Sequence, residues 1–199
     1  MTTTTRERIL ASSIDLMRSR GFHGTGLKDV TRAAAATTGS LYHFFPGGKD
    51  ELVRAAVRGD GAAHEATFVE IARRSDGPGD AIATFFSQAA DVLEQTGFVD
   101  LCPIGTVAGE TASTHDQVRQ ACDEVLRSWQ RALAAELTGA GLDEEVASEL
   151  AATAVAALLG GFVLVRTART GAPLRAAGHQ LRALVDTYLA TSTPTSAEG

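Results

Sequence analysis

Apolar residues recur at three- and four-residue spacing along almost the whole chain, and no stretch keeps the two-residue alternation of a half-buried strand. That periodicity confines the chain to an all-α fold. Ile9, Leu10, Ile14 and Met17 form a first stripe, which Arg20-Gly21 brings to a stop. Leu27, Val30 and Ala34 mark a second, short helix. Thr37 is a suitable cap for a third, in which Leu41, Phe44 and Phe45 share one face before Pro46-Gly47-Gly48 breaks the chain. A long fourth helix is expected from near Lys49 to about Arg73, with Asp50 and Glu51 well placed in its first turn. Gly59 and Gly61 each cost roughly 1 kcal/mol relative to alanine there, so a kink or early end near them is expected. After Ser75-Asp76-Gly77-Pro78-Gly79, further helices are expected near 79–96, 103–112, 115–138, 143–170 and 173–191, and the polar tail over 192–199 is expected to be disordered.

A chain of 199 residues buries a sizeable core. Two cysteines, Cys102 and Cys122, are too few for a disulfide scaffold and fit a reducing cytoplasm. The N-terminus MTTTTRERIL has no apolar run of the kind that targets secretion. The longest apolar stretch, 151–165, is shorter than a bilayer requires and reads as a buried helix. The net charge of −6 argues against general nucleic-acid affinity, but it is unevenly spread. Residues 1–59 hold nine Lys/Arg against five Asp/Glu, and the remainder nine against nineteen. Local positive charge, not the total, is what phosphate binding needs.

Three short helices close together, the last two joined by a tight turn, outline a helix-turn-helix unit. Such a unit needs a small shared core and a third helix whose outer face reaches the major groove. Leu41, Phe44 and Phe45 supply the inward face, leaving Thr37, Thr38, Gly39, Ser40, Tyr42 and His43 outside. The hydroxyls of Thr37, Thr38, Ser40 and Tyr42 suit phosphates, and Thr38, Ser40 and His43 suit base edges. Gly39 permits close backbone approach. Thr25, just before the second helix, and Lys28, in its first turn, are further candidate DNA contacts, and Lys49 with the amides opening the fourth helix makes a phosphate site.

The stretch Gly24-Thr-Gly-Leu-Lys-Asp-Val, followed by Gly39-Ser-Leu-Tyr-His-Phe-Phe-Pro-Gly-Gly-Lys-Asp-Glu-Leu52, resembles the DNA-binding domain of TetR-family repressors. The doubled glycine after Pro46, Cys102-Pro-Ile-Gly and Glu110 resemble the LmrA/YxaF-like branch. Two positions depart from the family pattern. Ala35 stands where a turn glycine is common, so it must take the turn without a positive φ or bear some strain, and Gly26 stands in place of a Ser/Thr cap, which Thr25 could replace. The resemblance implies a homodimer that places two reading helices in successive major grooves of operator DNA. It implies a helix-turn-helix domain over 1–48, a helical ligand-binding and dimerisation domain over 49–191, and a small-molecule effector.

Phe68, Phe85, Phe86, Leu93, Phe98, Leu101, Val107, Leu126, Trp129 and Phe162 are candidate lining for an effector pocket, with plain core packing as the alternative for each. Val146, Leu150, Ala154, Ala157, Gly161 and Val165 form one stripe, and Leu181, Leu184, Val185 and Tyr188 another. Two such helices from each protomer would make a four-helix dimer interface. The five histidines are dispersed, with no metal-ligand spacing, and no cofactor motif appears, so neither metal nor cofactor is expected. Cys102 has no Lys or Arg near it in sequence to activate its thiol. Two other readings stay open here: a regulator controlled by a protein partner, and a helical enzyme retaining the motif.

Overall fold

Thr4 starts the first helix with a reciprocal cap. Its hydroxyl accepts the Glu7 N–H (3.2 Å), and the Glu7 carboxylate accepts the Thr4 N–H (2.7 Å). The computed structural model describes residues 3–192, so the expected tail beyond 192 lies outside the described residues. Among the described residues the chain forms nine helices: α1 (Thr5–Arg20), α2 (Leu27–Ala33), α3 (Thr38–Phe44), α4 (Gly48–Ala72), α5 (Pro78–Gln95), α6 (Pro103–Thr111), α7 (Asp116–Gly139), α8 (Glu144–Ala168) and α9 (Ala172–Ser192). These bounds follow the periodicity closely, because each break carries a glycine, proline or capping residue.

Two details depart from expectation. α4 runs unbroken through Gly59 and Gly61. Gly61 is a packing residue, since a Cβ there would overlap the Val125 side chain of α7. A missing side chain thus lets two helices touch without ending either. Ala35 adopts φ 47°, the left-handed conformation, and so bears the strain that glycine would avoid. The turn is held by the Ala36 N–H, which donates to the Thr31 carbonyl (2.9 Å).

The chain packs as two units. One comprises residues up to His64 together with Val99–Leu126; the other comprises Glu65–Phe98 together with residues from Arg127 on. This division is not the sequence-order boundary after residue 48. The front of α4 presents Leu52, Val53, Ala56 and Val57 inward, and α6 with the front of α7 returns to the same unit. Sequence order alone does not register that return.

In the first unit, Ile9, Val30, Ala34, Leu41, Phe45 and Leu52 form the core that clamps α3 against α1, α2 and α4. Burying each large side chain contributes on the order of 1.5–3 kcal/mol. In the second unit, α5 packs on α9 and α8, with Phe86, Leu93, Leu137, Leu158, Leu174 and Val185 among the buried residues. α8 is long and apolar enough by composition to cross a membrane, but its buried stripe, from Ala147 to Val165, is built into this core.

Candidate nucleic-acid interface

Thr37 caps α3, its hydroxyl accepting the Ser40 N–H at 3.0 Å. Leu41 and Phe45 are buried beneath the helix and Phe44 is half-buried. That fixes which side faces out. Thr37, Thr38, Gly39, Tyr42 and His43 are exposed and Ser40 is half-buried, its hydroxyl 2.9 Å from that of Thr37. Tyr42, 49% exposed, has its ring against Gly48 at the start of α4. His43 stacks edge-on against Phe44. α3 carries no acidic residue, so an approaching phosphate meets no like charge on that face. Lys28 is exposed in the first turn of α2.

Two expected contacts are placed differently. Thr25 is a correction: it is buried, and its hydroxyl donates to the Gly21 carbonyl (2.8 Å) instead of capping α2 or facing solvent. α2 begins at Gly26 with no side-chain cap. The Lys49 ammonium turns onto the α1–α2 corner, donating to the Phe22 carbonyl at 2.6 Å and lying 4.2 Å from the Phe22 ring centroid. Partial burial pushes its pKa down, while the charges of Asp50 and Glu110 oppose that shift. The amide before α4 is also occupied, because the Gly47 N–H donates to Glu51 (2.6 Å).

The candidate effector residues do not gather in one unit. Leu101, Val107 and Leu126 belong to the first, and Phe68, Phe85, Phe86, Leu93, Phe98, Trp129 and Phe162 to the second. Phe86 and Leu93 are fully buried core. Phe68 and Phe85 pair edge-to-face at 5.8 Å and, with Phe98 and Phe162, are only partly buried against that core.

The interface stripes need a similar correction. Leu150, Ala154, Gly161, Val165, Leu181 and Val185 are buried within their own chain, Gly161 against Leu174, so they hold the second unit together. Val146 and Ala157 are partly buried against the same core. Leu184 and Tyr188 remain exposed on α9. Val163 and Leu164 on α8, 59% and 58% exposed, are further exposed apolar residues outside the expected stripe. A single period cannot tell a core face from an interface face when both are apolar.

Both thiols are buried, and desolvation pushes Cys102 up to about 11 and Cys122 up to about 12. Arg18 of α1 does come near Cys102, which sequence distance concealed, but burial outweighs its charge. Both cysteines therefore stay protonated.

The N-terminal segment, residues 9–56, matches the model of bacterial regulatory proteins of the tetR family, and residues 78–180 match the C-terminal domain of LmrA/YxaF-like transcriptional regulators. The chain is 34% identical over 180 residues to the HTH-type transcriptional regulator YxaF of Bacillus subtilis (strain 168), covering 90% of this chain and 94% of YxaF. It is 30% identical to the HTH-type transcriptional regulator LmrA of the same organism, covering 85% of this chain and 90% of LmrA. Among solved structures it resembles the TetR family transcriptional regulator CifR, solved with 26bp double-strand operator DNA, at TM-score 0.74 and 19% identity over 88% of this chain and 94% of that one.

Proposed function

The chain belongs to the TetR family as a helix-turn-helix transcriptional regulator with an LmrA/YxaF-like C-terminal domain, and from that membership we propose a dimeric, cytoplasmic operator repressor released by a small apolar or aromatic molecule. TetR-family regulators bind operator DNA and act as dimers.

The observation that carries the reading is α3: a short helix pinned from below by Leu41 and Phe45, with an outward face of hydroxyls, an imidazole and no carboxylate. Thr38 and His43 reach base edges, while Thr37, Ser40 and Tyr42 contact phosphates. Lys28 supplies positive charge from α2, and Lys49 has two further N–H donors beyond the one given to Phe22. Two heads spaced by one turn of DNA, about 34–36 Å, read successive grooves. The exposed Val163, Leu164, Leu184 and Tyr188 form the apolar centre of the protomer interface. The partly buried aromatics of the second unit, Phe68, Phe85, Phe98 and Phe162, favour an aromatic effector.

An effector that releases DNA must prefer the conformation that does not bind DNA, and DNA must weaken the effector by the same factor. The fluorescent aromatic probe anilinonaphthalene sulfonate tests this, titrated with and without a duplex that the protein enriches from a random-sequence pool. Mutual weakening by one shared factor is expected. Equal probe affinity in both titrations would remove the effector from the account and leave DNA binding standing.

A further inference from the structure

The corner between α1 and α2, Gly21-Phe22-His23, is tied both to α6 and to the start of α4. Glu110, on the last turn of α6, accepts the His23 N–H at 2.9 Å. Its carboxylate fills the space above Gly21, where φ is +70° and any Cβ would overlap it. The carbonyl of Phe22, between those two residues, receives the Lys49 ammonium. The other end of α6 is tied to α1 as well, through the Leu101 N–H, which donates to the Arg18 carbonyl at 3.1 Å. Ile104 and Val107 are buried between these two ties. α6 is thus fastened at both ends to α1 and its corner.

The consequence runs along a short path. α3 ends at Phe44 and α4 begins at Gly48, so whatever holds the first turn of α4 also holds the exit of α3. Lys49 is in that first turn, and its anchor is a carbonyl whose direction depends on the corner. The titratable groups around the corner are Glu110 from α6, His23 from the corner itself, Lys49 and Asp50 from α4, and His115 preceding α7, the last 3.9 Å from Asp50 and edge-on to Phe22.

We infer that Glu110 is a positioning residue for DNA binding: it holds the α1–α2 corner in the geometry that seats Lys49 on the Phe22 carbonyl, and so fixes the start of α4 beside the reading helix. Glu110 does not itself touch DNA. This rests on the reading that α3 contacts DNA.

A duplex enriched by the wild-type protein serves as the probe, and affinity is measured at fixed salt for Glu110→Ala, Lys49→Met and the double variant. Glu110→Ala is expected to bind about tenfold more weakly, the scale of one lost hydrogen bond to a charged group. In the Lys49→Met background the same change is expected to cost no more than about twofold, because residues acting in one chain are non-additive. Glu110→Gln keeps an acceptor oxygen and is expected to restore most of the loss, binding about threefold below wild type and indistinguishably once Lys49 is gone. That second pair decides the matter alone if the alanine variant does not fold. Wild-type affinity in the Glu110 variants, or equal losses in both Lys49 backgrounds, would overturn the inference while leaving the DNA reading intact. A wild-type protein that enriches no duplex would overturn both.

Discussion

The two units put their apolar residues to different uses. In the first, a few large side chains, Ile9, Leu41, Phe45 and Leu52, are almost wholly consumed by one small core, so whatever faces outward on α3 is polar. In the second, α8 and α9 are apolar on more than one face: Val165 and Val185 are fully buried, while Val163, Leu164, Leu184 and Tyr188 stand exposed on the same helices. A polar outward face is recognisable by its contrast with the core beneath it. An apolar surface above an apolar core has no such contrast, and only packing separates the two.

The sharpest test of that contrast is to damage the two faces of the second unit separately. Leu174 is fully buried and fills the space left by Gly161. Leu174→Ala should cost about 2–5 kcal/mol in a denaturant titration, as core truncations of leucine do. A cost below about 1 kcal/mol would mean that this core is not packed as described.

On the neighbouring exposed face, Leu184→Glu should leave the protomer folded and convert the dimer to monomers in sedimentation. DNA affinity should then fall steeply, since each head retains only its own contacts. If the variant remained dimeric, the interface would have to lie elsewhere than the Val163, Leu164, Leu184 and Tyr188 surface.

Within the first unit, Ala35 offers a smaller effect of opposite sign. At φ 47° it bears a cost that glycine does not, so Ala35→Gly should stabilise the protein by up to about 1 kcal/mol. Thermal unfolding that shifted downward would show that the turn prefers its alanine.

The smallest expected effect lies on the surface of the second unit. Glu94 accepts hydrogen bonds from Arg175 and from the Gly171 N–H, and these hold its carboxyl down at about 2. A carboxyl depressed in the folded state contributes stability above its ordinary value of 4.5, which is lost as pH falls toward about 2. Arg175→Gln should therefore flatten the acid limb of the stability profile between those values and leave neutral pH nearly unchanged. An acid limb identical to wild type would show that the pair is screened by solvent.

Much of this architecture was legible in the sequence. Thr37 as a cap, Gly21 as a stop and the break at Pro46-Gly47-Gly48 are local signals, and local signals placed the helices. Tyr42 and His43 on the outward face followed from the same periodicity. What could not be read depended on distant partners. Gly61 resembled a breaker until Val125 stood against it, and Thr25 resembled a cap until the Gly21 carbonyl claimed its hydroxyl. Glu110 stood out only as part of a motif, with nothing in its neighbours to connect it to His23, eighty-seven positions earlier.

The central claim, that the outward face of α3 reads DNA, is tested most directly by fluorescence anisotropy with Tyr42→Ala and His43→Ala. Each is titrated against the enriched duplex and a scrambled one at several salt concentrations. Tyr42→Ala should weaken binding to both duplexes by a similar factor, because it removes a phosphate contact. His43→Ala should instead narrow the preference for the enriched duplex, on the order of 1–3 kcal/mol for a base contact, with little change on the scrambled one. Wild-type affinity and wild-type preference in both variants would contradict the account.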